Sequence, residues 1–186
     1  MLIDLPYDRV RAVQYATRWA LSRNPLFTDF AGQGGDCTNF VSQCIFAGCG
    51  VMNDTPTYGW YYRSESDRAP AWTGVEALRD FLVGIPEFSI ANGGVGPYAR
   101  EVSSPSEILS GDVIQLADRS GDFYHTLFVS RVSRDGIFVS AHTNDALNRP
   151  LSDYSFSSAR ALHILGARIE LQPESSFLRL LNGESL

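Results

Sequence analysis

The chain of 186 residues contains no lysine, because all 15 of its basic residues are arginine. Schiff-base chemistry, a P-loop lysine on phosphate and a lysine general base are therefore excluded. The formal net charge is -6 and the sequence pI is near 5.0. Nucleic acid and anionic membranes require basic patches, so neither is expected as the main partner.

Cysteine is also scarce, with Cys37, Cys44 and Cys49 as the three examples. An odd number cannot form a complete disulfide framework, and their spacings match no familiar zinc motif. At least one thiol is therefore expected to be free, while a bridge between Cys44 and Cys49 is left open. No cofactor and no metal are expected.

Neither a signal-peptide pattern nor a run of about 18 apolar residues occurs in the sequence. This predicts a cytoplasmic protein without membrane insertion, or an extracytoplasmic one if a leader has been removed. Hydrophobic residues make up 44% of the chain. Length and composition together predict one globular domain over 1–186, with its core at about 7–169 and a tail or short helix at 170–186.

The hydrophobic pattern changes from helical spacing to β-branched runs along the chain. Helical patterns cover about 8–22, 37–47 and 74–83, with Asp36 in position to cap the second helix. Strand patterns cover 112–117, 125–132, 136–143 and 160–171, and Asp135-Gly136 indicates a hairpin. The segment 87–105 has no regular period and is interpreted as a loop. An α+β fold is predicted, with N-terminal helices packed on a C-terminal antiparallel sheet.

Cys37 occupies the first turn of the second predicted helix, within the stretch GGDCTNFVSQC. Unpaired N–H groups and the helix dipole at such a position favour a thiolate, and the same N–H groups can stabilise an oxyanion. Cysteine is also among the most buried residue types, so a packing role is the alternative. Packing is the favoured interpretation for Cys44 and Cys49.

The candidate bases are the three histidines of the chain. His125 begins a predicted strand, and His142 lies near the end of the next one, so a hairpin could bring them together. His163 lies within an apolar run and is interpreted as a strand residue with a satisfied ring. A zinc site, a nucleotide-binding loop and a serine triad each lack their motif.

Five segments together resemble a known family: GGDCTNFVSQCIFAGCG, WTGVEAL, SGDVIQL, YHTLFVSRV and AHTNDALNRPLSDY. They are similar to the bacterial putative amidase domain of the papain-like cysteine hydrolases, which is related to the NlpC-like and CHAP groups. The resemblance extends from about Tyr7 to about Arg168, which is nearly the whole chain. It implies a papain-like fold with a cysteine at a helix start and a histidine on the adjacent sheet.

The resemblance implies that Cys37 is the nucleophile and His125 the base, with a third polar residue that orients the imidazole. His142 is the first choice for that third residue and Asn144 the second, because strand register alone does not separate them. The implied reaction is cysteine-dependent hydrolysis of an amide, by an amidase or cysteine peptidase, in a peptide or a peptidoglycan fragment of the bacterial cell wall. A non-catalytic cell-wall or peptide-binding module and an acyltransferase with the same Cys–His pair are the alternatives.

Overall fold

The computed structural model describes residues 2–84, 93–170 and 181–183. Within these ranges, four helices pack against a sheet of seven strands whose recorded pairings are all antiparallel. The predicted α+β class is therefore confirmed. None of the described helices is long and apolar enough to cross a membrane.

The helices lie in the first half of the chain, and all strands except the first lie in the second half. The helices are α1 (Arg9–Trp19), α2 (Asp36–Cys49), α3 (Pro70–Thr73) and α4 (Val75–Val83). The strands are β1 (Leu2–Leu5), β2 (Gly96–Val102), β3 (Val113–Ala117), β4 (Phe123–Ser133), β5 (Gly136–Ala141), β6 (Ala146–Pro150) and β7 (Ser158–Glu170).

The sheet is organised around its longest strand, β7. The strand order is β1-β7-β3-β4-β5-β6, and β2 also pairs with β7. The hairpin predicted from Asp135-Gly136 joins β4 and β5, with Ser133 paired to Gly136. A register shift between Val129 and Arg131 then moves the pairing by one residue, which changes what lies opposite the start of β4.

Three strands were not predicted from the sequence: β1, β2 and β6 (Ala146–Pro150). β1 precedes the first helix, and β2 lies within the segment 87–105 that was interpreted as a loop. β2 contains glycine, proline and a bulge between Tyr98 and Ala99, so it lacks a clean alternation of apolar residues. Residues 85–92, and the proposed tail or helix at 170–186 apart from residues 170 and 181–183, lie outside the described residues.

Each face of the sheet has its own hydrophobic cluster. The face toward the helices includes Phe128 and packs against Trp60 and Trp72, whose rings lie 4.8 Å apart. The other face carries Leu127 and Val129, which alternate with Phe128 along β4. Both tryptophans are fully buried and belong to the core.

Gly48 in α2 is required by packing rather than by its backbone conformation. A Cβ at this position would collide with the Tyr7 ring, which is fixed by a 3.0 Å hydrogen bond from its hydroxyl to the Gly111 carbonyl. We expect Gly48→Ala to lower the free energy of unfolding by about 1–3 kcal/mol, as overpacking typically does. Urea denaturation measures this. Helix propensity alone favours alanine, so an unchanged or increased stability would contradict the packing argument.

Candidate active site

The first turn of α2 has backbone donors without acceptors. Gly35 occupies the position before the helix and offers no side-chain cap, and the first helical bond runs from the Asn39 N–H to the Gly35 carbonyl at 3.0 Å. In the described part of the chain, the N–H groups of Asp36, Cys37 and Thr38 bond no acceptor. These groups make the turn a favourable place for negative charge.

Asp36 was expected to cap α2, but it is the first residue of the helix and its carboxylate points elsewhere. Oδ1 accepts hydrogen bonds from the Phe30 N–H at 3.1 Å and from Asn39 at 3.0 Å. Oδ2 lies 2.9 Å from Nδ1 of His142. Burial alone would raise the pKa of this carboxyl group, but the hydrogen bonds, led by that from His142, lower it to about 2.

The thiol of Cys37 is 4% exposed and has a polar neighbour. Its Sγ lies 3.8 Å from Oγ1 of Thr38, which in turn lies 2.9 Å from Oγ1 of Thr126. Burial raises the pKa of Cys44 well above its usual value and that of Cys49 to about 11. The packing interpretation of Cys44 agrees with its complete burial.

His125 lies near the start of β4, next to Thr126. Its ring contacts those of Tyr124 and Tyr154, each with centroids 6.2 Å away. Burial lowers the pKa of His125 to about 4. The Thr38–Thr126 contact holds this part of β4 against the first turn of α2. Within the described ranges, however, no hydrogen bond joins the imidazole to the Cys37 thiol.

His142 lies just beyond β5 and does not contact His125 in this structure. Its Nδ1 is bonded to Asp36, and its Nε2 lies 2.9 Å from the Trp19 carbonyl oxygen. The Phe40 ring stacks on the imidazole at 4.2 Å. Both ring nitrogens are occupied, so neither is left to orient His125.

The register of the hairpin explains this position. Phe128 pairs with Ser140 after the shift in β4, and continuing that pairing places His142 opposite Thr126. Thr126 contacts α2, so His142 shares the face that packs on the helices. Without the shift, His142 would lie opposite Leu127 and share the face of His125, so the one-residue shift in β4 places His142 on the other face.

Asn144 lies in the loop between β5 and β6 and is exposed. Thr143 and Asn144 have positive φ values of 62° and 68°, an uncommon conformation for two consecutive residues other than glycine. The next residue, Asp145, accepts two hydrogen bonds of 2.9 Å from Arg23. This ion pair ties the loop to the segment between α1 and α2, but the structure does not bring Asn144 into hydrogen-bond contact with His125.

His163 is a satisfied strand residue, as expected. Its Nδ1 lies 2.8 Å from Oδ2 of the buried Asp112, whose other oxygen accepts from Arg9 at 2.7 Å. His163 lies on β7, and Asp112 lies just before β3. Neither shares a hydrogen-bond partner with the first turn of α2 among the described residues.

Sequence reasoning did not identify the polar network beneath the thiol. Gln115 of β3 donates to the Val75 carbonyl at 2.7 Å and lies 3.4 Å from Thr126. Arg160 of β7 donates to Gln115 at 2.7 Å. The signal in the sequence was a glutamine within the otherwise apolar stretch VIQLA. Among the described residues, no group of three or more His, Cys, Asp or Glu side chains could hold a metal ion.

Comparison with known proteins identifies the family. Residues 6–165 match the family model described as "Putative amidase domain". The chain belongs to this family. Two proteins of Bacillus subtilis strain 168 are similar to it, each described as uncharacterized: YhbB is 34% identical over 148 residues and YjcM 28% identical over 153. Each alignment covers 77% of the chain, but only 43% of YhbB and 32% of YjcM.

The low pKa of His125 predicts a pH dependence of stability for this amidase-family chain. Below about pH 6.5 the unfolded histidine binds a proton, whereas the folded one does so only near pH 4. Stability is therefore lost as the pH falls through this interval, by an amount on the order of 1–2 kcal/mol for a partly exposed group. We expect His125→Asn to reduce that loss, as measured by urea denaturation at pH 7 and pH 4.

His163→Asn is the matched control, because it removes a histidine whose ring already has an acidic partner. The same acid-induced loss in wild type and in His125→Asn would show that burial does not hold this imidazole neutral.

Proposed function

We propose that this chain is a cysteine amidase in which Cys37 is the nucleophile and His125 the general base. The carrying observation is the first turn of α2, where the thiol lies among N–H groups that bond no acceptor in the described structure. Such a turn stabilises both a thiolate and the oxyanion of acyl transfer. The proposed base, His125, lies one residue before Thr126 at the start of β4, where strand alternation turns its ring to the face opposite α2, toward Tyr154.

The proposed reaction has two stages. Sγ of Cys37 attacks the amide carbonyl carbon while its proton passes to His125, and the oxyanion is held by N–H groups of the first turn. The C–N bond then breaks, and His125 returns the proton to the leaving amine. Water attacks the thioester with His125 as base, which releases the carboxylic acid and restores the thiol.

The burial of His125 determines the resting state of this pair. With a pKa of about 4, the imidazole is neutral at neutral pH and is a weak acceptor for a thiol proton. In the proposed reaction the proton therefore reaches the imidazole only as Sγ attacks the carbonyl carbon. No hydrogen bond joins the two side chains among the described residues, so the proposal requires the start of β4 to turn His125 toward Cys37 when substrate binds.

Asn144 is the candidate we retain for orienting His125. It is exposed on the loop after β5, and the ion pair between Arg23 and Asp145 holds the adjacent residue. His142 is not retained for that role, because both of its ring nitrogens already have acceptors.

Peptides and peptidoglycan fragments are the substrate class that we propose. An amide between amino acids fits a thiol nucleophile with an oxyanion site, and the chain has no lysine for other carbonyl chemistry. The chain spans less than half of each named relative, so what the whole proteins act on is part of the same proposal.

Substitution of the proposed nucleophile and base tests the mechanism directly. Against a panel of peptidoglycan-derived peptides followed by mass spectrometry, we expect Cys37→Ser to abolish turnover and His125→Asn to reduce it by roughly 10²–10⁴-fold. Cys44→Ser is the matched control, since it removes a buried thiol from the same helix. Turnover that survives Cys37→Ser would overturn the proposal. Products joined to added amines rather than to water would identify an acyltransferase instead.

Alkylation separates the three thiols without any substrate. At pH 7.5 we expect iodoacetamide to modify Cys37 first, because burial raises the pKa of both Cys44 and Cys49. Labelled peptides are quantified after digestion in wild type and in Cys37→Ser. Equal rates at the three positions would show that the first turn of α2 does not activate its thiol, and would favour the non-catalytic binding module.

A further inference from the structure

The buried imidazole of His142 is 1% exposed and lies between two acceptors. Nε2 is 2.9 Å from the Trp19 carbonyl oxygen, at the end of α1. A carbonyl oxygen only accepts hydrogen bonds, so Nε2 must carry a proton. The state of the ring then depends on whether Nδ1 also donates.

The partner of Nδ1 is an ionised carboxylate. Oδ1 of Asp36 accepts from the Phe30 N–H and from the side-chain amide of Asn39. The orientation of that amide is fixed, because Oδ1 of Asn39 accepts from the donor-only indole of Trp72 at 2.9 Å. Oδ2 of Asp36 faces His142 and also lies 3.2 Å from Nε of Arg23. A carboxylate surrounded by donors has no proton to give, so Nδ1 donates as well.

We propose that His142 is a doubly protonated imidazolium at neutral pH, and that this buried cation is a positioning residue for Cys37. It joins the end of α1 to the first turn of α2 through Trp19 and Asp36. It also offsets the charge of Asp36, the residue that directly precedes the thiol.

The charges around His142 support a cation at this position. The segment between α1 and α2 contributes Arg23 and Asp29, α2 contributes Asp36, and the loop after β5 contributes Asp145. The three carboxylates face a single guanidinium, so the group has an excess of negative charge that a further cation reduces. The Phe40 ring, stacked at 4.2 Å, provides a favourable face for that cation.

The consequence for Cys37 is electrostatic. A carboxylate one residue before the thiol opposes thiolate formation, whereas the N–H groups of the same turn favour it. With Asp36 paired to an imidazolium, the net field of the turn stays positive. This effect on catalysis depends on the proposed function, but the protonation state of His142 does not.

NMR of ¹⁵N-histidine-labelled wild-type protein tests the protonation state without any variant of His142. We expect both ring nitrogens of His142 to show protonated shifts and N–H couplings throughout pH 6–8. Spectra of His125→Asn and His163→Asn assign the other two rings by loss of their signals. A single unprotonated nitrogen on His142 at pH 7 would overturn the proposal, whatever the activity of the protein.

The pH profile of iodoacetamide labelling at Cys37 tests the effect on the thiol. We expect His142→Asn to move the profile upward by about one pH unit, so that labelling at pH 7 slows about tenfold. Replacing both partners (Asp36→Asn with His142→Asn) should restore the wild-type profile, because no uncompensated charge remains.

His163→Asn is the matched control, since it breaks a similar buried His–Asp contact elsewhere in the sheet. If His142→Asn only unfolded part of the protein, the molecules that stay folded would keep the wild-type pH profile of iodoacetamide labelling. An identical profile in wild type and His142→Asn would remove the electrostatic role. If NMR shows a doubly protonated His142 but the protein hydrolyses no amide through Cys37, only the proposed function is overturned.

Discussion

The burial of α2 is the constraint on which the rest of this structure depends. Nearly the whole helix is inside the protein, yet it carries five polar side chains that cannot be left without partners. Each is satisfied by a different element: Asp36 by His142, Thr38 by Thr126, Asn39 by Trp72, Ser42 by Trp60 and Gln43 by Tyr15. These contacts fix the rotation of α2 about its axis and therefore the position of Cys37.

His142 and His125 differ in the number of hydrogen-bond acceptors that surround each ring. His142 faces a carboxylate and a carbonyl oxygen, one at each ring nitrogen. His125 faces tyrosine rings and has no hydrogen-bond acceptor within the described residues, so burial favours the neutral form. The two rings thus have different surroundings, although the sequence presents both residues on neighbouring strands.

Much of the fold could be predicted because its main elements have strong hydrophobic periodicity. Three helices (α1, α2 and α4) and four strands (β3, β4, β5 and β7) were identified near their observed positions. β1 and β2 were missed because short or irregular strands are defined by their pairing partner, which here is about 60 or more residues away in the sequence. β6 was missed because its sequence, ALNRP, has no alternation of apolar residues and ends in proline.

For the candidate site, the position of Cys37 in the first turn of a helix followed from local signals and is confirmed. The relation between His142 and His125 did not follow, because a register shift within β4 cannot be read from residue types. The pairing of Asp36 with His142 was equally hidden, since it joins positions 106 residues apart.

β7 has a further consequence for the order of folding. It pairs with β1, β2 and β3, and the residues opposite Leu2–Leu5 are Ala167–Glu170. During synthesis β1 can therefore pair with β7 only after almost the entire described chain has been made. Contacts so distant in sequence slow the search for the native state. The emerging helices would meanwhile expose their apolar faces, so a chaperone or rapid completion of translation would favour correct assembly.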